Sequence, residues 1–333
     1  NMNNFKKIGM TALAASLVAT SAFAGELAVS GSASIKTAHT TTALGANAGK
    51  AFSMGNSVTF TGGGELDNGL NVSVSFELDQ GAANNAAVTA SGVVAANSGA
   101  VFDSHSVTVS SDALGSLTFA GHGGDSAQSA VKDMTGKIWD IQGTTQPAVA
   151  SSSSNNMMLY TLPSVIDGVS VSASYVPKGA AATQWASATD VAIAYTGVEG
   201  LTVGYALGEK NATEATVGDV DTWYAKYAYG PVTVAYTETE FASKADASDR
   251  EFEAMSVAYA VSENISVSYG TSENTQNTTA ASSTNTPEEV TGITASYTMG
   301  GMTLSGAMID IKNQGFVQGT KEEAWELALA FAF

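Results

Sequence analysis

The chain contains no cysteine. That removes disulfide frameworks and thiolate metal sites. It has a single arginine, Arg250, and only 13 basic residues against 31 acidic ones, for a formal charge of −18. So acidic a surface excludes nucleic acid as a partner, because phosphate binding needs clustered Lys and Arg. Histidine is scarce too: His39, His105 and His122. His39 reads as a surface-loop residue and His105 as an outward residue near a strand start. They form no nucleophile–base–orienter set and no zinc-ligand spacing, so the chain reads as a non-enzyme. Long apolar runs are missing as well. No stretch beyond residue 25 approaches the roughly 20 consecutive apolar residues of a spanning helix. If the chain crosses a membrane it must do so as a closed barrel, because lipid offers no partner to open backbone groups.

What is present first is an export signature. Lys6 and Lys7 precede an apolar run, Ile8 to Val18, and Ala22-Phe23-Ala24 fits a small-x-small cleavage site. Residues 1–24 are therefore expected to be a cleaved signal peptide, and residues 25–333 a single domain.

That domain repeats one pattern. Leu70, Val72, Val74, Phe76 and Leu78 alternate with Asn71, Ser73, Ser75, Glu77 and Asp79. Trp325, Leu327, Leu329, Phe331 and Phe333 alternate with Glu326, Ala328, Ala330 and Ala332. Period two puts one set on each face of a strand. Sixteen such segments start near residues 26, 52, 70, 102, 116, 156, 169, 188, 201, 220, 232, 251, 265, 289, 302 and 323. Short connections rich in Gly, Asn, Asp and Pro come after the even segments, such as Leu66 to Gly69 and Gly300-Gly301. Longer ones come after the odd segments, the longest over Gly121–Asn155. Short turns at one rim and long loops at the other form the pattern of an outer-membrane barrel. A soluble β-solenoid or adhesin also alternates, but it would show a fixed period, and none is present. The outward mid-strand positions carry no Lys or Arg, as a lipid-facing surface requires. Outward aromatics such as Tyr175, Tyr205, Tyr227 and Tyr297 suit the headgroup level.

Several segments resemble the alphaproteobacterial general porins of the Rhodobacter type. They are the turn Gly64 to Leu70, the hairpin Ser106 to Gly121, the hairpin Leu162 to Tyr175, and the stretch Gly121 to Asp140 with Asp125-Ser126-Ala127 and Val131-Lys132-Asp133. The resemblance implies a sixteen-stranded barrel in outer-membrane lipid, a homotrimer, and passage of small hydrophilic solutes and ions. It further implies that the loop after the fifth strand folds inward as a constriction, with His122, Asp125, Lys132, Asp133, Lys137 and Asp140 on it. It gives Phe333 the role of an assembly signal. The family pairs acidic loop residues with a basic cluster on the facing wall, and here the sequence departs from it: only Lys36 and Lys226 fall clearly in the lumen phase.

The lumen phase is otherwise mostly Ser, Thr, Ala and Gly, with Glu77, Asp79 and Tyr224 among the exceptions. Short side chains leave space and do not build a tight ligand pocket. The expectation is passive diffusion with mild cation preference, since acidic excess raises local cation concentration. Two alternatives stay open: a substrate-selective channel, and a non-conducting surface barrel or adhesin. No cofactor is expected. Weak calcium binding by loop carboxylates is the lesser reading beside solvated acidic loops, because no spaced calcium-loop signature is present.

Overall fold

The computed structural model describes residues 27–41, 52–79, 103–128, 155–177, 187–210, 218–243, 249–277 and 286–333. Their regular structure is β apart from one 3₁₀ turn, Gln314–Phe316. The strands are β1 (Ala28–Thr40), β2 (Phe52–Glu65), β3 (Asn71–Asp79), β4 (Ser104–Ser111), β5 (Gly115–His122), β6 (Met157–Thr161), β7 (Val169–Val176) and β8 (Ala188–Val198). They continue with β9 (Leu201–Lys210), β10 (Gly218–Tyr229), β11 (Val232–Ser243), β12 (Asp249–Ala260), β13 (Ile265–Asn277), β14 (Glu288–Met299), β15 (Met302–Lys312) and β16 (Lys321–Ala332). Each expected segment start lies within two residues of an observed one.

Neighbouring strands pair antiparallel in chain order, and β1 pairs with β16 to close the barrel. Closure removes both sheet edges, which is what the absence of solvent in lipid demands. At the seam, Ser32 to Thr40 run opposite Ala332 to Ala324. Phe333 extends that ladder: its N–H donates to Gly31 O at 3.0 Å, and Gly31 N–H donates to Phe333 O at 2.7 Å. The Phe333 ring lies over Gly31, where a Cβ would stand 2.6 Å from a ring carbon. His39 belongs to β1, opposite Trp325, and is not a loop residue. The apolar alternation of β1 fades at Ala38-His39-Thr40, yet pairing with β16 carries the strand to its end.

The turns explain their own glycines. Gly115 and Gly200 have φ of 77° and 75°, and a side chain on either would run into a backbone oxygen of the next strand, that of Thr161 or Ala228.

The two faces obey the alternation. Outward residues include Val29, Ile35, Val191, Ile293, Leu304 and Leu327, all exposed. An apolar outer face on a closed barrel suits contact with lipid; among the described residues no helix is long and apolar enough to cross a membrane. Outward aromatics form two levels. Tyr195, Tyr227, Tyr259, Tyr297 and Phe331 lie near the short turns, and Tyr205, Trp223, Tyr236, Tyr269 and Trp325 lie toward the long loops. Beyond the second level, outward carboxylates face each other across strands: Glu238 opposite Glu253, Glu253 opposite Glu273, and Glu273 opposite Glu289.

The inner face is lined by hydroxyl pairs. Ser32–Ser57 at 3.0 Å, Thr108–Thr118 at 2.8 Å, Ser266–Ser296 at 2.7 Å and Thr298–Thr303 at 3.1 Å are directly opposed. Each hydroxyl offers both a donor and an acceptor, so such pairs hold side chains flat against the wall. Toward the long-loop rim the inner face turns apolar: Phe252, Ala254, Val290, Ile309, Ile311 and Ala324 form one buried cluster. That cluster adds larger apolar side chains to a lumen phase expected to be mostly Ser, Thr, Ala and Gly.

Candidate functional site: the barrel interior

The interior is shaped by the segment after β5. His122 ends that strand with its Nδ1 hydrogen-bonded to the backbone oxygen of Asp103. The chain then turns inward. Asp125 is exposed, and Ser126, Ala127 and Gln128 are each at 0 % exposure. Burial of three consecutive residues beyond a strand end means that they lie against other parts of the molecule. Ala127 packs with Ala192 of β8, Ala206 of β9 and Tyr224 of β10. Its N–H donates to Ser174 Oγ on β7 at 2.9 Å. Gln128 Nε2 donates to Thr222 Oγ1 on β10 at 2.7 Å. The segment thus crosses from β5 to the wall formed by β7–β10, and so narrows the lumen.

The receiving wall suits this contact. Ser174, Ala192, Ala206 and Thr222 are short and in lumen phase, so a backbone can approach them closely. Tyr224 also points inward, lying against Gly204, but at 3 % exposure it sits beneath Ala127 and does not face the open lumen.

The other wall residues stand apart. Lys36 and Glu326 face each other across the seam, Nζ to Oε2 at 2.7 Å, and among the described residues no further donor reaches that oxygen. Glu77 Oε2 accepts the Ser104 hydroxyl at 3.2 Å. Asp79 is exposed at the end of β3, and Lys226 is half-buried on β10 between Thr202 and Ala235. Arg250 reaches over the Phe316 ring, 5.8 Å from its centroid. Phe316 is held at φ 65° in the 3₁₀ turn after β15. Lys132, Asp133, Lys137 and Asp140 lie outside the described residues. Lumen-phase carboxylates also include Asp190, Glu288 and Glu322, all buried. The charges facing inward among the described residues are therefore mainly acidic, and one of the few cations is neutralised by its neighbour.

Sequence reasoning placed the inward loop but missed its landing points. Asp190 was the available signal, the one charged residue of β8, in its lumen phase.

Outside the lumen, Glu238, Glu240 and Glu251 bring carboxylate oxygens within 4.8 Å of one another. Glu238 Oε2 accepts the Trp223 indole N–H and the Tyr236 hydroxyl, both at 3.0 Å.

Comparison with known proteins agrees with this architecture. A family model described as Gram-negative porin matches residues 9–286. The anion-selective porin from Comamonas acidovorans superposes with a TM-score of 0.67 at 15% identity, over 92% of this chain and 99% of that one. A triple mutant of the Rhodopseudomonas blastica porin gives 0.65 at 16% identity, over 92% and 100%. A loop-deletion mutant of OmpT, an outer membrane protein of Vibrio cholerae, gives 0.67 at 11% identity, over 93% and 99%. A search of curated proteins finds no match.

Proposed function

Because the chain belongs to the Gram-negative porin family, we propose that it is a passive, mildly cation-preferring outer-membrane pore for small hydrophilic solutes and ions. The observation that carries this reading is the buried segment Ser126–Gln128, which narrows a closed barrel whose inner face carries hydroxyl pairs on several strands. An unfilled barrel of this size holds water. The narrowing sets a size limit, and the charges facing inward set ion preference. Support for cation preference comes from Glu77 and Asp79 in lumen phase and exposed Asp125 on the inward segment, against Lys226 and a Lys36 that Glu326 neutralises. The Comamonas porin, which shares the fold at 15% identity, is anion-selective, so the cation preference proposed here rests on this chain's own inward charges and not on the fold.

In this reading His122, Asp125, Lys132, Asp133, Lys137 and Asp140 line the constriction, with Lys36, Glu77, Asp79 and Lys226 on the wall. Tyr224 supports the inward segment. Residues 1–24 direct export and are removed, residues 25–333 form the barrel, and three copies assemble. No cofactor takes part; calcium binds weakly at most.

Planar-bilayer recording tests the reading. Ohmic steps in triplets and a cation-selective reversal potential are expected in a salt gradient. Absence of conductance would favour a structural surface barrel, and an anion-selective potential would overturn the charge argument.

A further inference from the structure

Asp190 is 1 % exposed, in the lumen phase of β8, and its carboxylate serves three strands. Oδ1 accepts the Glu209 N–H of β9 at 2.9 Å, and Oδ2 accepts the Ser174 hydroxyl of β7 at 2.9 Å. An ionised carboxylate can only accept. The Ser174 proton is thus committed to Asp190, which leaves Ser174 Oγ as an acceptor aimed at the Ala127 N–H, 2.9 Å away. A second anchor lies one residue further along. Gln128 Nε2 donates to Thr222 Oγ1 at 2.7 Å, and Thr222 is itself paired with Thr239 at 2.9 Å.

We propose that Asp190 is a positioning residue for permeation: acting through Ser174, it latches the inward segment to the β7–β10 wall and so sets the free cross-section of the pore. The inference rests on the reading of this chain as an open pore and deepens it. Chain geometry gives the latch its leverage. The chain leaves β5 at His122, has reached β10 by Gln128, and is back at β5 by Asn156, whose N–H donates to Gly121 O at 3.3 Å. The span between Gln128 and Asn156 therefore starts from a point inside the barrel that the latch fixes. Ser174 lies 47 residues and Thr222 94 residues from their partners, so neither contact forms until β5–β10 have paired into the wall. Loss of the latch loosens that starting point, which the Gln128–Thr222 bond still holds, while leaving every ladder between strands intact.

The test is single-channel recording on the full-length protein carrying Asp190→Ala, Ser174→Ala, both together, and Ser174→Thr. Either alanine variant is expected to raise the conductance step, on the order of twofold, and to split it into sublevels. Because Asp190 acts through Ser174, the double variant is expected to go no further than either single one. Ser174→Thr keeps the hydroxyl and restores the wild-type step. A merely structural role would lower the thermal midpoint of the folded band on gels without changing the step or its sublevels. If Asp190→Ala does not assemble, Ser174→Ala carries the same expectation with only one hydroxyl removed. Wild-type conductance and sublevels in assembled alanine variants would overturn the latch alone. A wild-type chain that inserts without conducting would overturn the pore reading itself.

Discussion

Replacing Glu326 by Gln separates what a lumen charge does for the fold from what it does for the current. Glu326 Oε2 lies 2.7 Å from Lys36 Nζ, across the seam between β16 and β1. Two unit charges about 4 Å apart attract by about 1 kcal/mol in water and by about 4 kcal/mol at an effective dielectric near 20. The Lys36 side chain keeps 39% exposure, so screening applies and the pair adds about 1 kcal/mol or less to stability. The seam survives that loss, because its register of backbone pairs from Ser32 to Thr40 is untouched. The effect on permeating ions is larger in proportion. With Gln at 326, Lys36 presents an uncompensated positive charge. At roughly 8 Å in water that charge is worth about 0.5 kcal/mol to a passing ion, close to thermal energy. Cation occupancy near the seam then falls about twofold and anion occupancy rises about as much. Reversal potentials in a salt gradient read this directly. E326Q is expected to shift toward anions, K36Q toward cations, and the double variant back toward wild type. Shifts of the same sign in both single variants, or none in either, would refute the assignment of this pair to the conducting lumen.

Three further outcomes are expected. Deleting Phe333 removes two seam hydrogen bonds to Gly31, together worth about 1–3 kcal/mol, whereas Phe333→Ala keeps the backbone and loses only a ring that is 77% exposed. If Phe333 acts as an assembly signal, both variants lower the yield of folded barrel in outer membranes; normal insertion of Phe333→Ala would end that role. Ile293→Arg places a charge on the lipid face in the middle of β14 and is expected to cost about 2–4 kcal/mol in barrel unfolding. Thr294→Lys, one residue on and facing the lumen, loses only the hydroxyl pair with Ser268, so equal destabilisation by the two would contradict the assigned phase. Glu240→Gln relieves repulsion within the Glu238–Glu240–Glu251 group and is expected to stabilise by about 0.2–1 kcal/mol. Thermal melts with and without calcium check this, and a large calcium-dependent loss in the variant would instead indicate a bound ion.

Much of the barrel was legible in the sequence because alternation is a local property. A strand with lipid on one side and water on the other must switch polarity every residue, so Leu70 to Asp79 announces both its strand and its faces. Turn glycines such as Gly115 and Gly200 announce the connections. Charge told less. Lys36 read as a lumen-phase cation, but its partner Glu326 lies at the other end of the chain, and no short-range pattern couples them. Tyr224 falls in the inward phase of β10, and that phase could not reveal that Ala127 packs against it.

Strand number, the phase of each strand, the two rims and the acidic balance were all present in the amino-acid order, because each depends on spacing between near neighbours. The place where the segment after β5 lands was not, and it emerges from the closed barrel alone. Ser174 and Thr222 look like any other lumen residues, and Asp190 stands out only as an inward carboxylate, until the folded sheet brings β7–β10 against the segment after β5. The physical reason is that a landing point is a matter of distance through space, and barrel closure sets that distance.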